Sequence, residues 1–181
     1  LISSYYLCDA IKPKQTTMER IKLKNIKYSA SFSEETNAFT ADIFFDNKKI
    51  GYCVNHGSGG PTDCNLWDAT KKEAFAHMKE YCDGLGIEAY GDKLEYVVDD
   101  LFQNWLTAKT IKKDEKKGIL FGDTSRYSIQ TFISLGERVG RRVSMADVLK
   151  TESGVKMVKD FCLKAKKEGH NILNTNLPFT V

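Results

Sequence analysis

The chain has 181 residues, a net charge of +3, 41% hydrophobic and 28% charged side chains and only 3 prolines, a composition that excludes a disordered or collagen-like chain. Its longest runs without Asp, Glu, Lys or Arg, residues 50–62 and 169–181, are shorter than the ~18 to 20 apolar residues of a membrane-spanning helix. The opening stretch has no basic start followed by a clean apolar run, so neither a membrane partner nor a secretory leader is expected.

Five cysteines, Cys8, Cys53, Cys64, Cys82 and Cys162, are odd in number and widely spaced, which favours a reduced, cytoplasmic setting. Charge is distributed unevenly. Residues 1–28 hold 6 basic and 2 acidic side chains, 29–104 hold 6 and 14, and 105–181 hold 15 and 8. Such polarisation suits a charged partner.

Residues 1–17 read as a peripheral segment before an internal start at Met18, and 18–181 as a single α+β domain. Ile21 and Leu23 alternate with lysines, then Ile26 and Tyr28 take the opposite parity, which predicts a strand with a bulge near Asn25. Phe39, Ala41, Ile43 and Phe45 form a period-two face, residues 46–49 a hairpin turn, and 50–54 the return strand. Three antiparallel strands result.

Beyond the glycine-rich stretch 55–65 the period becomes helical. Ala74, Phe75, Met78, Tyr81, Cys82 and Leu85 share one face, with Asp68 or Thr70 as cap and Gly84 or Gly86 as terminator. Leu94, Val97, Val98, Leu101, Phe102, Trp105 and Leu106 mark a second helix, acidic at its start and basic at its end as the helix dipole favours. Residues 118–121 and 127–135 read as a second hairpin, with Tyr127, Ile129, Ile133 and Leu135 on one face. Ser144 caps a short helix, Ser153 opens a longer one burying Val155, Val158, Phe161, Cys162 and Ala165, and 171–173 form a last strand. The order is roughly βββααββααβ: helices on a mainly antiparallel sheet of five to six strands.

Few residues point to catalysis. Cys53, His56, Cys64, His77 and Cys82 are zinc-type ligands at a spacing that fits no paired pattern, so no metal or other cofactor is expected. Glycines between His56 and Cys64 argue against a thiol held beside its base. Residues 55–61 lack the GK[ST] or GxGxxG context of a phosphate loop, and tight turning or close approach explains their glycines. Asp42, Asp46 and Lys48 leave a metal-dependent nuclease as an alternative. Ser33, Glu34 and Glu35 read as exposed and non-catalytic.

The basic residues carry more. Lys109, Lys112, Lys113, Lys116 and Lys117 end the second helix, Arg138, Arg141 and Arg142 follow the second hairpin, and Lys156, Lys159, Lys164, Lys166 and Lys167 punctuate the last helix. Brought together, they would bind phosphates without reading sequence, with Tyr127 and Phe132 as stacking candidates. Glu95, Asp99 and Asp100 are expected to face solvent and to suit a basic protein groove.

Ser33-Glu34-Glu35-Thr36, Phe39-Thr40-Ala41-Asp42-Ile43, Lys48-Lys49-Ile50-Gly51, Asn55-His56-Gly57-Ser58-Gly59-Gly60 and, near the end, Ile172-Leu173-Asn174-Thr175-Asn176 together resemble small accessory proteins of bacteriophages and mobile elements. The resemblance implies a non-enzymatic protein that binds and blocks host machinery, such as an anti-CRISPR-like inhibitor of a Cas effector. Lys112, Lys113, Lys116, Lys117, Arg138, Arg141, Arg142, Glu95, Asp99 and Asp100 are the expected contacts to that protein or nucleoprotein complex. A plain DNA- or RNA-binding module is the other alternative.

Overall fold

The computed structural model describes residues 20–89, 91–124, 126–134 and 141–180. The peripheral segment 1–17, Cys8, Met18, Leu135 and Arg138 lie outside the described residues, as do the side chains of residues 132–134, 141 and 142. The architecture is α+β, and the chain divides into two compact units, Leu1–Phe102 and Gln103–Val181.

The first unit holds strands β1 (Ile21–Ser29), β2 (Ala38–Phe45), β3 (Lys48–Asn55) and β4 (Asp63–Leu66), which form an antiparallel sheet in chain order. On β1, Ile21 and Leu23 stand opposite Phe45 and Ile43; the register then shifts between Lys24 and Lys27, and Tyr28 comes opposite Phe39. Asn25 sits in this bulge at φ +53°, a conformation that asparagine tolerates better than most residues. The extra residue is what carries the apolar face across the parity switch. Asp46 and Asn47 turn the chain from β2 into β3 with φ +48° and +63°, the twin left-handed pair of a tight hairpin whose twist matches its strands.

One face of this sheet is core. Ile21, Phe39, Ala41, Ile43, Phe45, Ile50 and Cys53 are buried, and so are Met78 and Cys82 of helix α1 (Lys72–Asp83) and Leu94, Val97, Val98 and Phe102 of helix α2 (Lys93–Asp114). Phe39 and Phe102 stack with ring centroids 3.8 Å apart, a contact of a kind whose truncation costs ~3 to 5 kcal/mol. Asp68 caps the turn leading into α1 by accepting from the Thr70 amide at 2.8 Å, and Asp92 caps α2 by accepting from that of Leu94 at 3.1 Å. The boundary between the units falls inside α2.

The second unit contains β5 (Gly118–Gly122), β6 (Tyr127–Ser134), β7 (Arg141–Val143) and β8 (Asn171–Ile172), in sheet order β7-β6-β5-β8, with helices α3 (Met145–Val148) and α4 (Glu152–Lys167). Its core joins Ile119, Met145, Val148, Val158 and Cys162, flanked by Phe161, Ile172, Leu177 and Phe179. Ser144 caps α3, its hydroxyl accepting from the Asp147 amide. The cap of α4 is Thr151, not Ser153: the Thr151 hydroxyl accepts from the Gly154 amide at 3.1 Å, while Ser153 lies one turn position too late. Past β8, the Asn174 side chain substitutes for a strand by accepting from the Leu120 amide and donating to the Gly118 carbonyl. Buried Glu115 then accepts from both the amide and the hydroxyl of Thr175.

The sequence order holds, with two additions. The short strands β4 and β7 were not expected, and the strands form two four-stranded sheets where one was anticipated.

Candidate functional site

The glycine-rich stretch is built into the first unit by hydrogen bonds. The Gly57 carbonyl accepts from three successive amides, those of Glu34, Glu35 and Thr36, at 2.9, 2.9 and 3.2 Å. Gly57 itself has φ +88°, and a Cβ there would strike the Phe32 carbonyl and Ala38. Buried Asn55 uses both ends of its amide. Its Oδ1 accepts from the Thr36 hydroxyl and the Gly57 amide at 2.9 Å each, and its Nδ2 donates to the Gly60 carbonyl at 3.3 Å and to Thr62 Oγ1 at 2.9 Å. Thr62, fully buried, passes the chain on by donating to Asp99 Oδ1 at 2.5 Å. Residues 33–36 and 55–62 are therefore halves of one latch that ends on α2. The glycines let two backbones meet, and the amides of Gly57 and Gly59 are spent on Asn55 and Thr36.

That latch changes the standing of the acidic residues. Asp99 is not a free solvated acid, because its carboxylate terminates the latch. Burial pushes its pKa up and the Thr62 hydroxyl draws it partly back. Glu95 and Asp100 are half-buried. Glu95 is raised by burial and then by the neighbouring charges of Asp92, Asp99 and Asp63, while Lys79 pairs with Asp92. Asp99 is exposed, as the sequence leads one to expect, although its carboxylate is bonded to Thr62, whereas Glu95 and Asp100 are half-buried where full solvent exposure was expected.

The thiols nearby are quiet. Cys53 and Cys64 stand opposite each other on β3 and β4. Burial pushes Cys53 up to about 12 and Cys82 up to about 11, and raises Cys64 as well, with the surrounding acids adding to the effect. Thiols so held stay protonated at neutral pH and are weak nucleophiles. Among the described residues no cluster of three His, Cys, Asp or Glu side chains is arranged to hold a metal. Asp42 and Asp46 have separate partners: Asp42 accepts from Asn25 at 2.7 Å and pairs with Lys49 at 3.0 Å, whereas Asp46 is gripped by the Arg20 guanidinium fork at 2.8 and 2.6 Å.

The basic residues of the second unit are exposed at Lys112 and Lys113 in the last turn of α2, at Lys116 and Lys117 in the turn that follows, and at Lys156, Lys159, Lys164, Lys166 and Lys167 along α4. Lys117 pairs with Asp114 at 2.6 Å. Arg141 and Arg142 lie on β7 in register with Ser134 and Ile133. Tyr127 is half-buried on β6. Its hydroxyl donates to Asp114 at 2.9 Å, and burial followed by that carboxylate raises its pKa to about 12. The charge division nearly coincides with the packing division: residues 103–181 hold 15 basic and 8 acidic side chains, and residues 20–102 hold 10 and 14.

A second surface escaped the sequence reading. The face of the first sheet turned away from α1 and α2 presents Lys22, Lys24 and Lys27 from β1, Phe44 from β2, Lys49 and Tyr52 from β3, and Trp67 just after β4. The register sets Lys22 opposite Phe44 opposite Lys49, and Lys24 opposite Asp42 opposite Tyr52. Trp67 is 53% and Tyr52 37% exposed. The only sequence signal was the polar-side parity of these strands, which places lysine and aromatic residues together once the register is known.

Comparison with protein-family models, with curated proteins and with solved structures returns no match.

Proposed function

We propose that this protein is a non-enzymatic binding protein that blocks a nucleoprotein complex of a host cell, and that it acts as an anti-CRISPR-like inhibitor of a Cas effector. The observation that carries the proposal is the near coincidence of charge and packing. One compact unit holds the acidic excess and the other the basic excess. A nucleoprotein complex offers both complements, phosphates for the lysines of the second unit and basic nucleic-acid grooves for an acidic surface. The resemblance to phage accessory proteins supplies the choice of a Cas effector. High thiol pKa values and separately engaged Asp42 and Asp46 favour binding over catalysis.

A DNA-cleavage assay with a panel of Cas effectors tests this. Inhibition by the unmodified protein is expected, and it should weaken in a variant with Lys112, Lys113, Arg141 and Arg142 reversed to glutamate. A panel that remains fully active in the presence of excess protein would contradict the proposal.

A further inference from the structure

The outer face of the first sheet has the chemistry of a stacking platform. Two of its rings are held by cations of the fold: Lys49 Nζ lies 3.3 Å from the centroid of Trp67 and Lys24 Nζ 4.3 Å from that of Phe44, and Tyr52 lies further along β3 on the same face, opposite Asp42 and Asn65. These contacts orient the rings and set cations beside them. A shallow groove of about 740 Å³ runs over the face along Ile26, Lys27, Thr40, Tyr52, Val54 and Trp67. A second groove of about 580 Å³ shares Lys27, Thr40 and Val54 with it and continues to Phe32, which is 70% exposed, and to His56. The two form one track bordered by rings at both ends.

The electrostatics select the occupant. Lys22, Lys24, Lys27 and Lys49 lie on this face, with Lys27 lining both grooves, against Asp42, Asp63 at the edge strand and Glu34 in the second groove. Burial works to raise Asp42, but the hydrogen bonds from Asn25 and Lys49 and the charges of Lys49 and Lys27 outweigh it and hold the carboxyl below its ordinary value. It stays ionised and offsets a single lysine, so the face is net cationic although its unit is net acidic. A polyanion with flat apolar groups at regular intervals matches such a surface. Duplexes hide their base faces, whereas a single strand presents phosphates to lysines and bases to rings.

We infer that the outer face of the first sheet binds single-stranded nucleic acid, stacking bases on Trp67 and Tyr52 and pairing phosphates with Lys22, Lys24 and Lys27. This goes beyond the proposed inhibition, which draws on the lysines of the second unit.

Fluorescence anisotropy of the full chain with labelled dT and U oligomers of about 16 nucleotides, and with a matched duplex, tests the inference. Both single strands should bind more tightly than the duplex, and the two arms show whether DNA or RNA is preferred. Trp67→Ala and Tyr52→Ala should each weaken binding about ten-fold or more at unchanged Tm, while Trp67→Phe restores most of it. Converting Lys24 and Lys27 to Gln should lower the slope of log affinity against log salt by roughly 1.4.

Three results overturn the inference: no binding of either oligomer at low salt, equal or tighter binding of the duplex, or ring-to-alanine variants that bind as the parent does. If affinity instead disappears in Lys112→Glu with Lys113→Glu and survives the sheet variants, the surface lies on the second unit. The inhibition proposal would then stand without this one. Loss of Cas inhibition with single-strand binding intact would separate them in the other direction.

Discussion

Replacing Thr62 by valine keeps the shape of a fully buried side chain and removes only its hydroxyl, which accepts from Asn55 Nδ2 and donates to Asp99 Oδ1. A hydrogen bond to a carboxylate contributes ~1.5 to 3 kcal/mol and a neutral one ~1 kcal/mol. Two features reduce the sum: Asn55 Nδ2 keeps the Gly60 carbonyl, and Asp99 is more than a third exposed, so water replaces part of what it loses. The expected loss is about 2 kcal/mol at neutral pH. Thr62→Ser, which retains the hydroxyl, should lose only the ~1 kcal/mol of a buried methyl.

The penalty should also depend on pH. Burial raises the folded pKa of Asp99 and the Thr62 hydroxyl lowers it partway, so ionised Asp99 weighs against the native state above that pKa and the burden disappears below the unfolded value. Without the hydroxyl the folded pKa rises further. The valine deficit should therefore be full at pH 7 and shrink as pH falls through the folded pKa toward the ordinary carboxylate range. Urea denaturation followed by circular dichroism at several pH values measures both effects. A valine variant as stable as the serine variant, or a deficit that grows on acidification, would refute the latch as drawn.

Gly57→Ala should cost ~2 kcal/mol or more, because φ +88° and the Phe32 carbonyl both exclude a Cβ; calorimetry of the variant decides this, and an unchanged Tm would show that residues 33–36 do not close on this loop. Cys53 and Cys82 should escape alkylation in the native protein at pH 8 and react readily in urea, as read by peptide mass spectrometry, since burial holds both thiols protonated and covered.

The elements legible in the sequence were those whose signal is local. A parity switch between Leu23 and Tyr28 reported the bulge at Asn25, and heptad-like spacing from Leu94 to Phe102 reported α2. Strand β4 was hidden because Asp63, Cys64, Asn65 and Leu66 are too few to establish alternation, and they become a strand only by pairing with β3. The latch was invisible for a related reason. Nothing local links Gly57 to Glu34, or Asp99 to Thr62 across 37 positions, and the glycines read as freedom where the fold uses them for contact. Tyr52 and Trp67 likewise come together with the lysines of β1 only through cross-strand register. Thr151 and Ser153 can both cap, and only the backbone decides which one stands before the first helical turn.

Among the described residues, strands β1 and β4 are the two margins of the first sheet. Strand β1 meets an incoming chain with Lys22, Lys24 and Lys27 and with the irregular backbone at Asn25, while β4 is only four residues long and begins with Asp63. Repulsion, interrupted spacing and brevity all discourage edge-to-edge growth into fibrils. The protection on β1 is largely electrostatic, so concentrated salt weakens it by screening. Self-association under such conditions would begin at β1, the longer margin, and Lys22, Lys24 and Lys27 are the first place to strengthen or remove that safeguard.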